Sequence, residues 1–202
     1  MRRALLVIDV QNEYISGKLP IAYPPLDISL GNIAAAMDTA VRAGIPIAMI
    51  QHTAPPESPL FAVGSAGFAL HPVVAERPFD VLFEKTMPSS FTGTGLGDWL
   101  AAHDIDTVVI AGYMTQNCDE STAREAVHRG LAVEFLSDAT GTLGMANEAG
   151  NIGAKELHEA VLVTLQSRFA AVCTTREWID AVAGGPEPVR SGILASTAVS
   201  RA

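Results

Sequence analysis

The chain has 202 residues, 49% hydrophobic and 17% charged, which excludes a disordered polymer and supplies enough apolar material for one domain with a substantial core. The net charge is −9 with no basic run, so nucleic acid and anionic membranes are poor partners. No stretch approaches the roughly 18 apolar residues of a membrane span. The low charged fraction points to surface covered by other subunits, hence a homo-oligomer.

Met1-Arg2-Arg3 and the apolar run after it begin like a signal peptide, but Asp9 ends the run early and no small-residue cleavage site follows. Cys118 and Cys173 lie on separate apolar elements, so the expected setting is a reducing cytoplasm without disulfides.

Residues 4–10 form a first strand interrupted by one acid, Asp9, near its carboxyl end. A carboxylate there is costly if buried unpaired, so Asp9 either caps a neighbouring loop or faces a functional cleft. Gln11, Asn12, Glu13 and Tyr14 leave the strand, and the Gly- and Pro-rich stretch 17–25 is a loop. Leu30, Ile33, Ala34, Met37 and Val41 recur at the spacing of one buried helical face, predicting a helix over 28–43 that Gly44 ends. Residues 45–50 are the second strand. The stretch 52–75 has no sustained period, and a loop that long is more often a lid or binding loop than filler. Phe61 and Phe68 are its apolar contributors.

Residues 80–85 form a third strand ending on Lys85, 87–93 a turn, and Leu96, Trp99 and Leu100 one face of the next helix. Gly93, Gly95 and Gly97 do not make a GxGxxG and follow no strand, so no dinucleotide site is expected. Residues 107–111 read as a strand buried on both faces. The turn 112–118 ends on Cys118, and 120–129 has helical composition closed by Gly130. Cys118 thus stands at a helix N-terminus, where unpaired amides and the dipole favour a thiolate. The alternative is a buried cysteine acting as a small hydrophobe.

Residues 132–138 are a fifth strand, with Asp138 and Thr140 suited to capping the loop beyond. Leu157, Val161 and Leu165 mark a helix over 155–167. A sixth strand at 170–174 carries Cys173, read as core, and the last helix covers 176–182. The domain spans 1–183, and 184–202 form a tail, disordered or packed on a partner subunit. Alternating strands and helices specify a doubly wound, Rossmann-like α/β fold: a three-layer sandwich around a six-stranded parallel sheet.

Asp9, Lys85 and Cys118 all fall at carboxyl ends of strands, where such folds bind ligands. The lysine offsets the desolvation of the acid and favours thiolate; the acid can take the thiol proton and return it to a leaving group.

Together these pieces resemble the isochorismatase-like cysteine hydrolases, which include nicotinamidases, N-carbamoylsarcosine amidases and ureidoacrylate amidases. The matching segments are 6–11, Phe83-Glu84-Lys85 with 90–94, 111–118 with Ser121-Thr122-Ala123, and Ser137-Asp138-Ala139, within a span of about 4 to 180. The resemblance implies a catalytic triad of Asp9, Lys85 and Cys118 and a cis peptide between Tyr113 and Met114. It also implies an oxyanion hole from the amides of Met114 and Cys118. The expected course is attack of Cys118 on the carbonyl of a small amide or ureido compound, loss of ammonia or an amine protonated through Asp9, and hydrolysis of the thioester. Gln11, Tyr14, His52, Phe61, Tyr113 and Asn117 are the expected substrate-binding residues, and no cofactor is implied.

Two departures stand out. Many members have valine after the cysteine; here Asp119 follows, and it is expected to turn outward and favour the helix N-terminus. Nicotinamidase-like members hold a metal through an Asp-x-His after the second strand, where this chain has Gln51-His52. No metal is therefore expected, nicotinamide becomes a less fitting substrate, and His52 reads as a hydrogen-bonding wall. His71 matches a His-Pro pair of the superfamily, while His103, His128 and His158 fall on helices remote from the strand ends. Competing readings are isochorismatase-type vinyl-ether hydrolysis, which dispenses with the cysteine, a non-catalytic binding module, and a redox-sensing thiol protein.

Overall fold

The computed structural model describes residues 1–198. β1 (Arg3–Ile8) leads through a long loop to α1 (Leu26–Ala43), and β2 (Ile47–His52) through another to α2 (Pro72–Ala75) and β3 (Val81–Lys85). α3 (Leu96–Ala102) precedes β4 (Thr107–Tyr113). A π-helical turn, Thr115–Asp119, opens directly into α4 (Glu120–His128). Then follow β5 (Ala132–Gly141), a hairpin of β6 (Met145–Asn147) and β7 (Gly150–Ile152), α5 (Ala154–Arg168), β8 (Ala171–Cys173), α6 (Thr175–Val182) and α7 (Ile193–Ala198). Among the described residues no helix is long and apolar enough to cross a membrane.

The six-stranded sheet has the order β3-β2-β1-β4-β5-β8, parallel throughout. Strand order reverses between β1 and β4, the place where a doubly wound sheet opens a crevice at its carboxyl end. The period-two alternation of buried strands splits their side chains between two cores. Leu5, Val7, Val109 and Ala111 pack with Met37 of α1, Val74 of α2 and Trp178 of α6. Ala4, Leu6, Ile8, Val108 and Ile110 pack with Leu100 of α3, Ala126 of α4 and Leu165 of α5. Continuous apolar strands and helices on both faces are therefore one fact seen twice.

β5 extends three residues beyond the expected strand end. The β4–β5 register shifts between Ile110 and Gly112, after which Gly112 pairs with Thr140 and Tyr113 with Gly141. The β6–β7 hairpin was not legible, since each strand has three residues and almost no buried side chain. Asp138 caps the first turn of α6 instead of the loop beyond β5: its Oδ1 accepts from the backbone N–H (2.7 Å) and hydroxyl (2.6 Å) of Thr175. After residue 184 the chain lies along its own α5, where Gln166 Nε2 donates to the Val189 carbonyl (2.9 Å). Residues 199–202 of the expected tail lie outside the described residues.

Candidate active site

Three strand ends build the site. Asp9 leaves β1 at φ 52°, a left-handed conformation that Asp tolerates better than most residues. Its amide still donates to the Ile50 carbonyl of β2 (2.9 Å), so the turn stays anchored. Lys85 ends β3 in register with His52, and alternation puts it on the face of Val81 and Phe83, toward α3 and α4. Cys118 packs into that same core. Gly112 lets β1 and β4 close together there: at φ 133° a Cβ would sit 2.0 Å from the Ile8 carbonyl oxygen. The next peptide bond, Tyr113–Met114, is cis. Below the turn, Thr122 Oγ1 donates to the Cys118 carbonyl (2.7 Å) and accepts from Ser90 N (3.0 Å), tying loop 86–95 to α4.

Lys85 Nζ is the hub. It lies 2.6 Å from Asp9 Oδ2, 3.2 Å from Cys118 Sγ and 3.2 Å from His52 Nδ1. An ammonium has three N–H donors, and each meets one of these acceptors. His52 therefore accepts at Nδ1; burial, then the Lys85 charge, lowers its pKa and keeps it neutral. Burial opposes the charge on Lys85, but Asp9 and Cys118 outweigh it and raise the lysine. Burial, then the Asp9 carboxylate, pushes the Cys118 thiol well up against the opposing pull of Lys85. Cys118 is only 3% exposed, so burial opposes the thiolate that the helix N-terminus and Lys85 favour.

The expected pocket residues divide into two groups. Tyr14, Phe61 and His52 form an aromatic wall, with ring centroids 5.2 Å apart for Tyr14–Phe61 and 5.1 Å for His52–Phe61. Asn117 is half-buried on the turn, its backbone N–H on the Met114 carbonyl (3.0 Å). Gln11 does other work. Its amide nitrogen donates to the carbonyls of His52 (2.9 Å) and Phe68 (2.8 Å), and its oxygen accepts from His52 N (2.9 Å). Both donors are used within the chain, so Gln11 clamps the 52–75 loop to the strand ends. Tyr113 turns into the α1 side of the core, where its hydroxyl meets Ser29 Oγ at 2.8 Å. It anchors the turn and presents no polar atom to a substrate.

A divalent cation does not fit this donor set. Asp9, His52 and Cys118 bring one ligating atom each within 4.8 Å of one another, but Lys85 Nζ is within bonding distance of all three. Gln51 donates to the Phe68 carbonyl (2.9 Å), and His71 Nδ1 accepts from Val73 N (3.2 Å) as the cap of α2. The charge that balances this acid and thiol is the lysine.

The model of the isochorismatase domain matches residues 3–177. The chain belongs to the isochorismatase family. A solved structure from Burkholderia xenovorans LB400, classed as an isochorismatase, shares 58% identity at a TM-score of 0.97, covering 99% of this chain and 96% of that one. YrdC, an isochorismatase family protein of Bacillus subtilis, is 31% identical over 180 residues, 89% of this chain and 95% of YrdC. Nicotinamidase 3 of Arabidopsis thaliana is 31% identical over 180 residues, 83% of this chain and 82% of that protein.

Two further side chains of this isochorismatase-family site depart from the sequence reading. Asp119 does not turn outward. It is fully buried, and neither carboxyl oxygen has a hydrogen-bond partner among the described residues; Asp9 Oδ1 is likewise unpartnered. Burial, then the Asp9 charge, raises the Asp119 pKa well above its ordinary value. The signal was present in the spacing: Thr115, Cys118, Asp119 and Thr122 stand at i, i+3, i+4 and i+7, one face of a helical segment, and all four are buried. His158, expected to be remote, is bonded to the nucleophile turn. Its Nε2–H donates to the Ser137 carbonyl (2.9 Å) and its Nδ1 meets the Thr115 hydroxyl (2.8 Å), fixing the turn to α5. No local pattern announces a contact across 43 residues.

Proposed function

We propose that this chain is a metal-independent thiol hydrolase that cleaves the C–N bond of a small amide or ureido compound through a thioester on Cys118. The carrying observation is the Lys85 ammonium, bonded to both Asp9 and Cys118 with the side chains of lysine and acid sealed from solvent. Asp9, Lys85 and the thiol together hold a fixed number of protons. Moving the thiol proton to Asp9 gives thiolate, ammonium and neutral acid without changing the net charge of the buried cluster, so proton transfer avoids a further desolvation penalty.

Each step then uses a group already in place. Asp9 accepts the Cys118 proton as Sγ attacks the carbonyl carbon, and the amides of Met114 and Cys118 receive the developing oxyanion. The C–N bond breaks, the nitrogen leaves with the proton from Asp9, and an acyl thioester remains. Water then gives a proton to Asp9 as its oxygen attacks the acyl carbon. The C–S bond breaks, the acid product departs, and the sulfur recovers its proton from Asp9. Lys85 stays charged throughout, balancing whichever of Asp9 or Cys118 is the anion.

The amidase name of the Arabidopsis relative and the presence of Cys118 favour C–N cleavage over vinyl-ether hydrolysis. A redox-sensing thiol is disfavoured because Cys118 and Cys173 belong to cores on opposite faces of the sheet. The test is ammonia release from a panel of primary amides and ureido compounds by wild type and Cys118→Ala, with mass spectrometry of acid-quenched enzyme. Turnover by wild type with an acyl adduct on the Cys118 peptide is the expected result. Turnover that survives the substitution would overturn the mechanism.

A further inference from the structure

We propose that the site accepts an uncharged or cationic amide and turns away substrates that carry a carboxylate, with Asp119 as the side chain that enforces the choice. The word amide rests on the hydrolase reading above; the charge rests on two features of the chain itself.

The first is the inventory of cations around the crevice. A substrate carboxylate is held most strongly by an arginine fork or a free ammonium. The segments that follow the carboxyl ends of β1 to β5 are 9–25, 53–71, 86–95, 114–119 and 142–153. They contain the acids Asp9, Glu13, Glu57, Asp119 and Glu148, the single cation Lys18, and no arginine. Lys18 is exposed and donates to the Pro59 carbonyl (2.9 Å). Lys85 has its three protons engaged by Asp9, His52 and Cys118. Lys155 and Arg176, in the first turns of α5 and α6, pair with Glu159 and Asp180 of their own helices. These segments thus offer a carboxylate one exposed ammonium, on Lys18, and no arginine fork.

The second feature is Asp119 itself, adjacent to the nucleophile, buried, with both oxygens unpartnered. The titratable groups that face it are Asp9 after β1, Lys85 at the end of β3, Tyr14 of the turn after β1 and Tyr113 at the end of β4. Lys85 is taken, and the Tyr113 hydroxyl is bonded to Ser29. A buried acid without a donor is destabilising, and an N–H group or cation of a ligand would relieve it. Burial favours the neutral form of this acid beside an uncharged amide, and an approaching cation favours its charged form. A bound carboxylate would instead add a third acidic group beside Asp9 and Asp119.

The experiment measures modification of Cys118 by three methanethiosulfonates of similar size: 2-aminoethyl (cationic), 2-hydroxyethyl (neutral) and 2-sulfonatoethyl (anionic). Rates are taken on the full chain, assigned to Cys118 by peptide mapping, and divided by those of 2-mercaptoethanol. The cationic and neutral reagents should outpace the anionic one by about tenfold or more after that correction, the scale of field focusing in a charged cleft. Asp119→Asn should remove the advantage of the cationic reagent over the neutral one. An anionic reagent as fast as the neutral one overturns the proposal, and wild type alone decides this if the variant fails to fold. An unchanged preference in folded Asp119→Asn overturns the role of Asp119. Ammonia release from matched amides separates this inference from the hydrolase reading. Charge selection without any turnover would remove the hydrolase reading and keep the charge rule. Equal turnover of a carboxylate-bearing amide and its uncharged isostere would remove the charge rule and keep the hydrolase.

Discussion

Lys85 Nζ stands 2.6 Å from Asp9 Oδ2, with both side chains fully removed from solvent, although 76 residues separate them in the chain. A buried ion pair of this kind has an asymmetric effect. Removing the cation alone strands a desolvated carboxylate, whereas removing both charges need not destabilise. Lys85→Met should therefore lower stability by about 3–5 kcal/mol, the cost of breaking a buried pair. Asp9→Asn combined with Lys85→Met should recover most of that loss. Urea denaturation of the single and double variants at pH 7 checks the order; a double variant no more stable than Lys85→Met would show that the pair is not what holds these strand ends.

Cys118→Ala should reduce turnover by about a thousandfold or more, as expected when a nucleophile is lost. The fold should persist, since Asp9 still pairs with Lys85 and alanine suits a helix entry. Steady-state kinetics on the first substrate found, with circular dichroism as the folding control, separates chemical from structural loss.

Asp119→Val should stabilise the protein at neutral pH. The folded-state pKa of Asp119 is raised above its ordinary 3.8, so the folded chain holds a proton that the unfolded chain releases. The contribution of this carboxyl to stability is thus intact below that pH and lost as pH rises. Valine removes the loss with little change in volume, for a gain on the order of 1–3 kcal/mol at pH 8. Thermal melts at pH 8 and pH 4 test this: the gain should shrink at the lower pH, and a gain independent of pH would point to packing instead.

Activity should survive exhaustive chelation. Lys85 already engages the three atoms that could ligate an ion, while Gln51 Nε2 donates to the Phe68 carbonyl and His71 Nδ1 accepts from Val73 N in the α2 cap. Elemental analysis of purified protein, with assays before and after chelator, is the check. Activity lost on chelation and restored by one metal would contradict this account of the site.

Much of this protein is legible in its sequence because periodicity is local. The apolar runs around residues 4–10 and 107–111, the helical stripe through Ile33, Ala34 and Met37, and the alternation of strands with helices specify a parallel sheet covered on both faces. The carboxyl ends of those strands point to Asp9, Lys85 and Cys118, and the family resemblance supplies a cis bond after Tyr113. Even the inward face of Asp119 is written in the stripe Thr115, Cys118, Asp119 and Thr122, although the reading of its charge pointed outward.

Only the assembled sheet decides which of these groups meet and in what protonation state. The order β3-β2-β1-β4 brings Lys85, Asp9 and Cys118 within hydrogen-bond reach, and no property of the separate segments measures that distance. Gln11 and Tyr113 look like pocket residues until the 52–75 loop and α1 occupy their polar atoms. His158 looks remote until α5 packs it onto Thr115. Protonation follows the same rule. A helix N-terminus near a lysine favours a thiolate, and burial of Cys118 raises the thiol; burial is a property of the finished core.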